Sequence, residues 1–197
     1  MAREVEILVP VLSDAAASQS ALETLDFVSS AQTIDTYFYD PSRPDLQPDE
    51  TGRIQACMRL RTKDGIDGGW LAYKKDNFKG DEWLYSDEYE TRVEDPKAAE
   101  DIVRQLGLKV LTIVNCKKHV YMTPDGTKEV VFEQVEDLGD FLEVENKAPV
   151  EEADVAIVKQ GLRTYLNAEL HLKVGEELNA GKPELMLRRQ NFLPLES

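Results

Sequence analysis

Glu133-Gln-Val-Glu-Asp-Leu-Gly-Asp-Phe-Leu-Glu-Val-Glu145 is the stretch on which the reading of this chain turns. Its last five residues alternate as a strand does. Glu143 and Glu145 fall on one face, Leu142 and Val144 on the other. The N-terminus repeats the pattern, with Glu4 and Glu6 on one face opposite Val5 and Ile7. Carboxylates side by side on a strand repel one another. Two such strands in one chain require a compensating charge, either a bound divalent cation or facing Arg and Lys residues.

Working outward, the same period of two recurs. Residues 54–63 place Cys57, Arg59, Arg61 and Lys63 on one face. Further strands are expected at 3–9, 34–39, 70–75, 83–93 (with Glu88 and Glu90 sharing a face), 110–122, 127–135 and 140–147. Gly65 to Gly69 and Pro124-Asp125-Gly126 are turn signals. A helix is expected from Asp14 to Val28 with Ser13 as its cap, and a second from Asp95-Pro96 to Gly107. A third, from Glu151, carries Val155, Val158, Leu162, Tyr165 and Leu166 on one face. Strands that follow one another in hairpin order predict an antiparallel sheet or closed barrel. The expected organisation is one α+β domain over 1–174 and a polar, less readable tail over 175–197.

The chain has 197 residues and a net charge of −15, which disfavours DNA as a partner because phosphate binding needs a surplus of Lys and Arg. No apolar run approaches the length of a membrane span, so a membrane partner is not expected. Cys57 and Cys116 lack metal-ligand spacing, and with His119 and His171 they do not make the usual zinc site. The expectation is a reduced, cytoplasmic protein. Trp70, Trp83, Tyr37 and Tyr39 read as packing residues, and Arg188-Arg189 as a solvated pair.

The charged faces admit two readings. One is a sheet with a solvated face. The other is a barrel whose lumen holds acids and bases in separate clusters. Acids would take Mg²⁺ or Mn²⁺ through oxygen, and Arg and Lys would take the oxygens of a polyphosphate.

In order and spacing these segments resemble the CYTH superfamily, the triphosphate tunnel proteins, and within it the class IV adenylyl cyclase-like branch. The matching segments are Glu4-Val-Glu6-Ile-Leu8, Thr36-Tyr-Phe-Tyr-Asp40, Met58-Arg59-Leu60-Arg61, Trp70-Leu-Ala-Tyr-Lys74-Lys75, Asp87-Glu88-Tyr89-Glu90 and the closing Glu133 to Glu145 stretch. The resemblance implies an eight-stranded antiparallel β-barrel, the triphosphate tunnel, with flanking helices. It implies a Mg²⁺ or Mn²⁺ enzyme acting on a triphosphate such as ATP. Glu4, Glu6, Glu133, Glu143 and Glu145 would hold metal, Arg59, Arg61, Lys74 and Lys118 would hold phosphate, and Glu88 and Glu90 would be further tunnel acids. It names no catalytic acid or base here. It also implies a homodimer as one form.

Three positions depart from the family pattern. Leu8 and Ser86 stand where the family has Lys and Arg, and Lys118 stands where it has Arg, unless a one-residue shift puts His119 there. Three activities therefore stay open: a cyclase making cyclic AMP and pyrophosphate, a triphosphatase, and a nucleotide- or polyphosphate-binding protein without turnover.

Overall fold

The computed structural model describes residues 2–190. Eight strands close into one antiparallel barrel in the order β1-β5-β4-β3-β2-β6-β7-β8. They are β1 (Ala2–Pro10), β2 (Asp26–Tyr39), β3 (Ala56–Lys63), β4 (Gly69–Lys79), β5 (Glu82–Val93), β6 (Lys109–Met122), β7 (Lys128–Val135) and β8 (Gly139–Asn146). The helices are α1 (Ala15–Ala21), α2 (Pro96–Gln105), α3 (Val155–Ala168) and α4 (Lys182–Arg189). This is the expected eight-stranded barrel with flanking helices. Among the described residues, no helix is long and apolar enough to cross a membrane.

The barrel is apolar outside and charged inside. Val5, Ile7 and Val9 of β1, Val130 and Phe132 of β7, and Leu142 and Val144 of β8 point outward. They pack under Val155, Leu162, Tyr165 and Leu166 of α3. Phe38 and Leu60 are covered by Ala99 and Val103 of α2. Because helices bury the outer face, period-two alternation forces the charged residues into the lumen.

The β7–β8 turn shows how local sequence sets the register. Asp137 and Gly139 take φ of 66° and 105°, which lets the chain reverse through the three residues 136–138. Glu133 then lies across from Phe141, and Val131 across from Glu143. At the β3–β4 turn, a side chain on Gly69 would come within 2.6 Å of the Arg61 carbonyl oxygen, so only glycine fits.

Some boundaries differ from expectation. α1 is shorter than the expected helix and is capped by Asp14, whose Oδ1 accepts from the Ala17 amide at 2.8 Å. β2 begins at Asp26 instead of 34, because residues 26–33 pair with the long β6. β4 continues to Lys79, pairing through Asp76–Ser86 and Asn77–Tyr85.

The segment after α3 returns to the barrel. Val174 and Leu178 bridge to Val11 and Leu8, and α4 follows. Met186 and Leu187 of α4 pack with Leu8, Tyr37, Val114 and Phe141 across one end of the barrel. The expected tail is thus ordered helix in part; its residues 191–197 lie outside the described residues. Arg188 and Arg189 face solvent at the end of α4, as expected.

Candidate functional site

The lumen is a cavity of about 850 Å³. Its floor is the end covered by α4. Its mouth lies where Glu129, Glu145, Lys147 and Lys63 gather. Along β2, Tyr37 at the floor and Ser29 at the mouth are eight residues apart, about 26 Å of strand.

One wall is acidic. β1 and β8 are ladder partners, and Glu6 lies directly across from Glu145 while Leu8 lies across from Glu143. Glu6 is 9% exposed, and among the described residues no ion pair or hydrogen bond reaches it. Burial, and then the nearby Glu143, hold its carboxyl well above the usual carboxylate range. Burial likewise pushes Glu4 up to about 7, against the pull of Lys74. Glu145 is also raised, by burial first.

The opposite wall is a chain of alternating charges. Lys74 Nζ sits 2.7 Å from Glu4 Oε2 and 3.2 Å from Glu88 Oε2. Arg59 Nη2 donates to Glu88 Oε1 and Glu90 Oε2, both at 2.9 Å. Burial opposes ionisation of Glu88, yet Lys74 and Arg59 hold it down at about 2. Arg61 grips Asp35 with both prongs, Nε to Oδ1 at 2.7 Å and Nη2 to Oδ2 at 2.6 Å. The pairing keeps Asp35 below the usual range although burial opposes it.

A third cluster sits near the floor. Glu133 is fully buried; Lys118 Nζ lies 2.6 Å from one of its oxygens and Lys182 Nζ 2.7 Å from the other. Lys182 also lies 2.7 Å from Glu143 Oε2. Glu143 is held below the usual range by Lys182 and Lys118 in spite of burial. Lys118 therefore faces the lumen, which settles the register of β6. His119 points outward and lies against Phe132, with ring centroids 6.1 Å apart.

All eleven residues read from the sequence lie on the inward faces of the strands. Arg59, Arg61, Lys74 and Lys118 come together with Glu4, Glu88, Glu90, Glu133 and Glu143 as ion pairs, whereas Glu6 and Glu145 stand apart from those cations. Two functional candidates were missed. Asp35 is visible in retrospect from its alternation with Thr33 and Tyr37 opposite the arginine strand. Lys182 had only a helix-start signal, Gly181-Lys-Pro, in a segment without clear period.

The departures from the family pattern have structural counterparts. Leu8 belongs to the apolar floor. The cation it lacks beside Glu143 is supplied by Lys182 from α4. Ser86 is fully buried and donates to Asp76 Oδ1 at 2.6 Å.

The donor set fits a hard divalent cation: Glu4, Glu6, Glu143 and Glu145 carry carboxylate oxygens on the neighbouring strands β1 and β8, and Glu6 is buried with no direct ion pair among the described residues. In the present rotamers, no three Asp, Glu, His or Cys side chains among the described residues are grouped to hold an ion. Lys74 and Lys182 engage two of the four acids instead.

The sequence matches the CYTH domain model over residues 2–177. The chain belongs to the CYTH family. Three of the solved structures that share its fold illustrate the likeness. The PH1819 protein of Pyrococcus horikoshii is 22% identical at a TM-score of 0.78, covering 94% of this chain and 99% of that one. A candidate adenylate cyclase from Vibrio parahaemolyticus is 15% identical at 0.71, covering 94% and 98%. HpAC1 from Hippeastrum, a candidate adenylyl cyclase described as having a dominant triphosphatase activity, is 16% identical at 0.62, covering 100% and 99%. No curated protein matches the sequence. At these identities the likeness to other CYTH structures is one of fold.

Proposed function

We propose that this CYTH protein is a metal-dependent enzyme acting on a nucleoside triphosphate or another triphosphate, of the class IV adenylyl cyclase type. The observation that carries this reading is Glu6. A buried carboxyl with no direct ion pair among the described residues, flanked by Glu4, Glu143 and Glu145 and only partly offset by the more distant Lys74 and Lys182, is costly to ionise unless a cation or a proton joins it. Glu4, Glu6, Glu143 and Glu145 would hold Mg²⁺ or Mn²⁺, which when bound would neutralise phosphate charge and polarise the phosphorus–oxygen bonds.

The remaining residues act through exchange of partners. Arg59, Arg61, Lys74, Lys118 and Lys182 each start paired with a lumen carboxylate. An entering triphosphate takes over these cations through charge-assisted hydrogen bonds. The acids they leave, above all Glu4 and Glu143, are then available to a cation. Glu133 orients Lys118 and Lys182 toward the lumen, and Glu88 and Glu90 orient Arg59. A substrate gripped this way is positioned and its charge offset, which is most of what phosphoryl-group chemistry asks of a protein. In a cyclase the ribose 3′-oxygen attacks the α-phosphorus and pyrophosphate leaves; in a triphosphatase, water attacks the terminal phosphorus.

Incubation with ATP, GTP, thiamine triphosphate and tripolyphosphate, each with Mg²⁺ or Mn²⁺, tests the proposal. Cyclic nucleotide with pyrophosphate, or orthophosphate, is the expected product. No product from any of them at micromolar protein would rule out turnover.

Leu8 and Ser86 favour a second reading, binding without turnover, because each removes a cation from the lumen. That reading expects saturable calorimetric binding of a triphosphate and no product, even from the L8K/S86R double variant.

A further inference from the structure

Among the acids that line the lumen, Glu6 and Asp76 stand apart. Every other one has a Lys or Arg nitrogen within 3.9 Å. Asp76, on β4, has no ion pair among the described residues, and the metal reading does not use it. Ser86 Oγ donates to its Oδ1 at 2.6 Å, and its backbone amide donates to the Gln55 carbonyl at 2.8 Å. The hydroxyl orients the carboxylate without neutralising it; the arginine of the family pattern would put a cation in that place. The charged and titratable groups that face Asp76 are Lys74 on its own strand, Glu88 on β5, Cys57 on β3 and Glu184 on α4. Burial raises its carboxyl; Ser86 and Lys74 oppose the rise, and Glu88 adds to it.

The place of Asp76 decides what it can do. It lies two residues beyond Lys74 toward α4, about 7 Å along β4. Cys57, Trp83 and residues 181–183 line the cavity with it there. Phosphoryl transfer needs the attacking and leaving oxygens roughly in line through phosphorus. A triphosphate that leads with its phosphates keeps the rest of its chain toward the mouth, so the leaving oxygen of its terminal phosphate points that way. The attacking oxygen then comes from the α4 side, where Asp76 lies. A cyclase has no use for an acid there, because its nucleophile is carried by the substrate and reacts at the α-phosphorus, nearer the mouth.

We infer that Asp76, held in place by Ser86, is the catalytic base for attack of water on the terminal phosphorus. The water donates a hydrogen bond to Asp76 Oδ2. As its oxygen bonds to phosphorus, that proton passes to the carboxylate. The bridging phosphorus–oxygen bond breaks and its electron pair stays on the departing chain. Orthophosphate and the shortened chain result, and Asp76 returns the proton to solvent. The inference rests on the triphosphate reading above and adds the reaction, hydrolysis of the terminal phosphate in place of cyclisation. It also gives Ser86 a role other than that of a lost cation.

Steady-state release of orthophosphate from tripolyphosphate and from ATP in Mg²⁺ by the full chain tests this, with calorimetric binding of tripolyphosphate alongside. Asp76→Asn keeps an acceptor for Ser86 but takes up no proton. It is expected to lower kcat about a hundredfold or more, with KM and binding within about threefold of the wild type. Ser86→Ala lets the carboxylate swing and is expected to lower kcat about tenfold, again at unchanged KM. Retained tripolyphosphate binding shows that each variant is folded. A loss of kcat below about tenfold in Asp76→Asn, or equal losses of binding and turnover in both variants, would overturn the inference and leave the triphosphate reading intact. So would cyclic nucleotide and pyrophosphate from the wild type without orthophosphate. No product from the wild type would overturn this inference and the enzyme reading together.

Discussion

Lys182 at the floor and Lys147 at the mouth make similar contacts in different surroundings. The Lys182 side chain is 10% exposed and lies 2.7 Å from the fully buried Glu133 and 2.7 Å from the 14%-exposed Glu143. That of Lys147 is 37% exposed, 3.2 Å from Glu145 and 3.9 Å from Glu129. In water an ion pair is screened and contributes little; away from water, losing one partner strands the other. Losing one partner is therefore costly to the fold at the floor and nearly free at the mouth.

The largest test of this contrast is Lys182→Ala. It leaves Glu133, fully buried, and Glu143 short of a counter-charge, and is expected to cost about 3–5 kcal/mol in denaturant unfolding. A loss below about 1 kcal/mol would remove the distinction between the ends.

Next comes Glu184, also on α4 and 2% exposed. One of its oxygens accepts from the Ile54 amide at 2.7 Å; the other is buried without a partner. Burial pushes this carboxyl up to about 7; the Ile54 bond and Arg188 and Arg53 pull it down, and Asp76 adds to the rise. A carboxyl raised in the folded state binds protons more tightly there than in the unfolded chain. Its contribution is complete below about pH 4.5 and is lost as pH rises through about 7. Glu184→Gln should thus stabilise the protein by about 1–3 kcal/mol at pH 8 and leave it unchanged at pH 4. Thermal melts across that range read the difference, and equal effects at both ends would contradict it.

The mouthward acids give a smaller, opposite dependence when metal is present. Cations bind carboxylates, so ionising Glu4, raised to about 7, favours metal. Mn²⁺ affinity is expected to rise about tenfold from pH 6 to pH 8, read by calorimetry. A flat profile would detach Glu4 from the metal. Smallest is Lys147→Ala, which should cost under about 1 kcal/mol in the same unfolding assay that reads Lys182→Ala.

How far the molecule can be read from its sequence follows the same division. Most strands declare themselves by period-two alternation, four of them with a charged face, and the barrel follows from their hairpin order. Every residue taken for the site alternates correctly into the lumen. The start of β2 is obscured because Phe27 and Val28 suit a helix stripe as well as a strand, and only pairing with β6 decides. The sequence places Arg61 in the lumen but is silent on Asp35 as its partner, since that contact depends on which strands are neighbours. Lys182 is the hardest case. Its role depends on a helix returning across the barrel end, and nothing within a few residues of it encodes Glu133, 49 positions earlier.

A vessel with one opening empties in the reverse of the order in which it fills, and among the described residues α4 covers one end of this barrel. If a triphosphate enters phosphates first, its deepest fragment stands behind the rest of the molecule after cleavage. The shallow product must depart before the deep one can. Pyrophosphate from a cyclase, or orthophosphate from a triphosphatase, would then be the last to leave and would compete with fresh substrate. The organic product would not, so the helix at the far end would dictate the kinetic sequence of release without touching the reacting atoms.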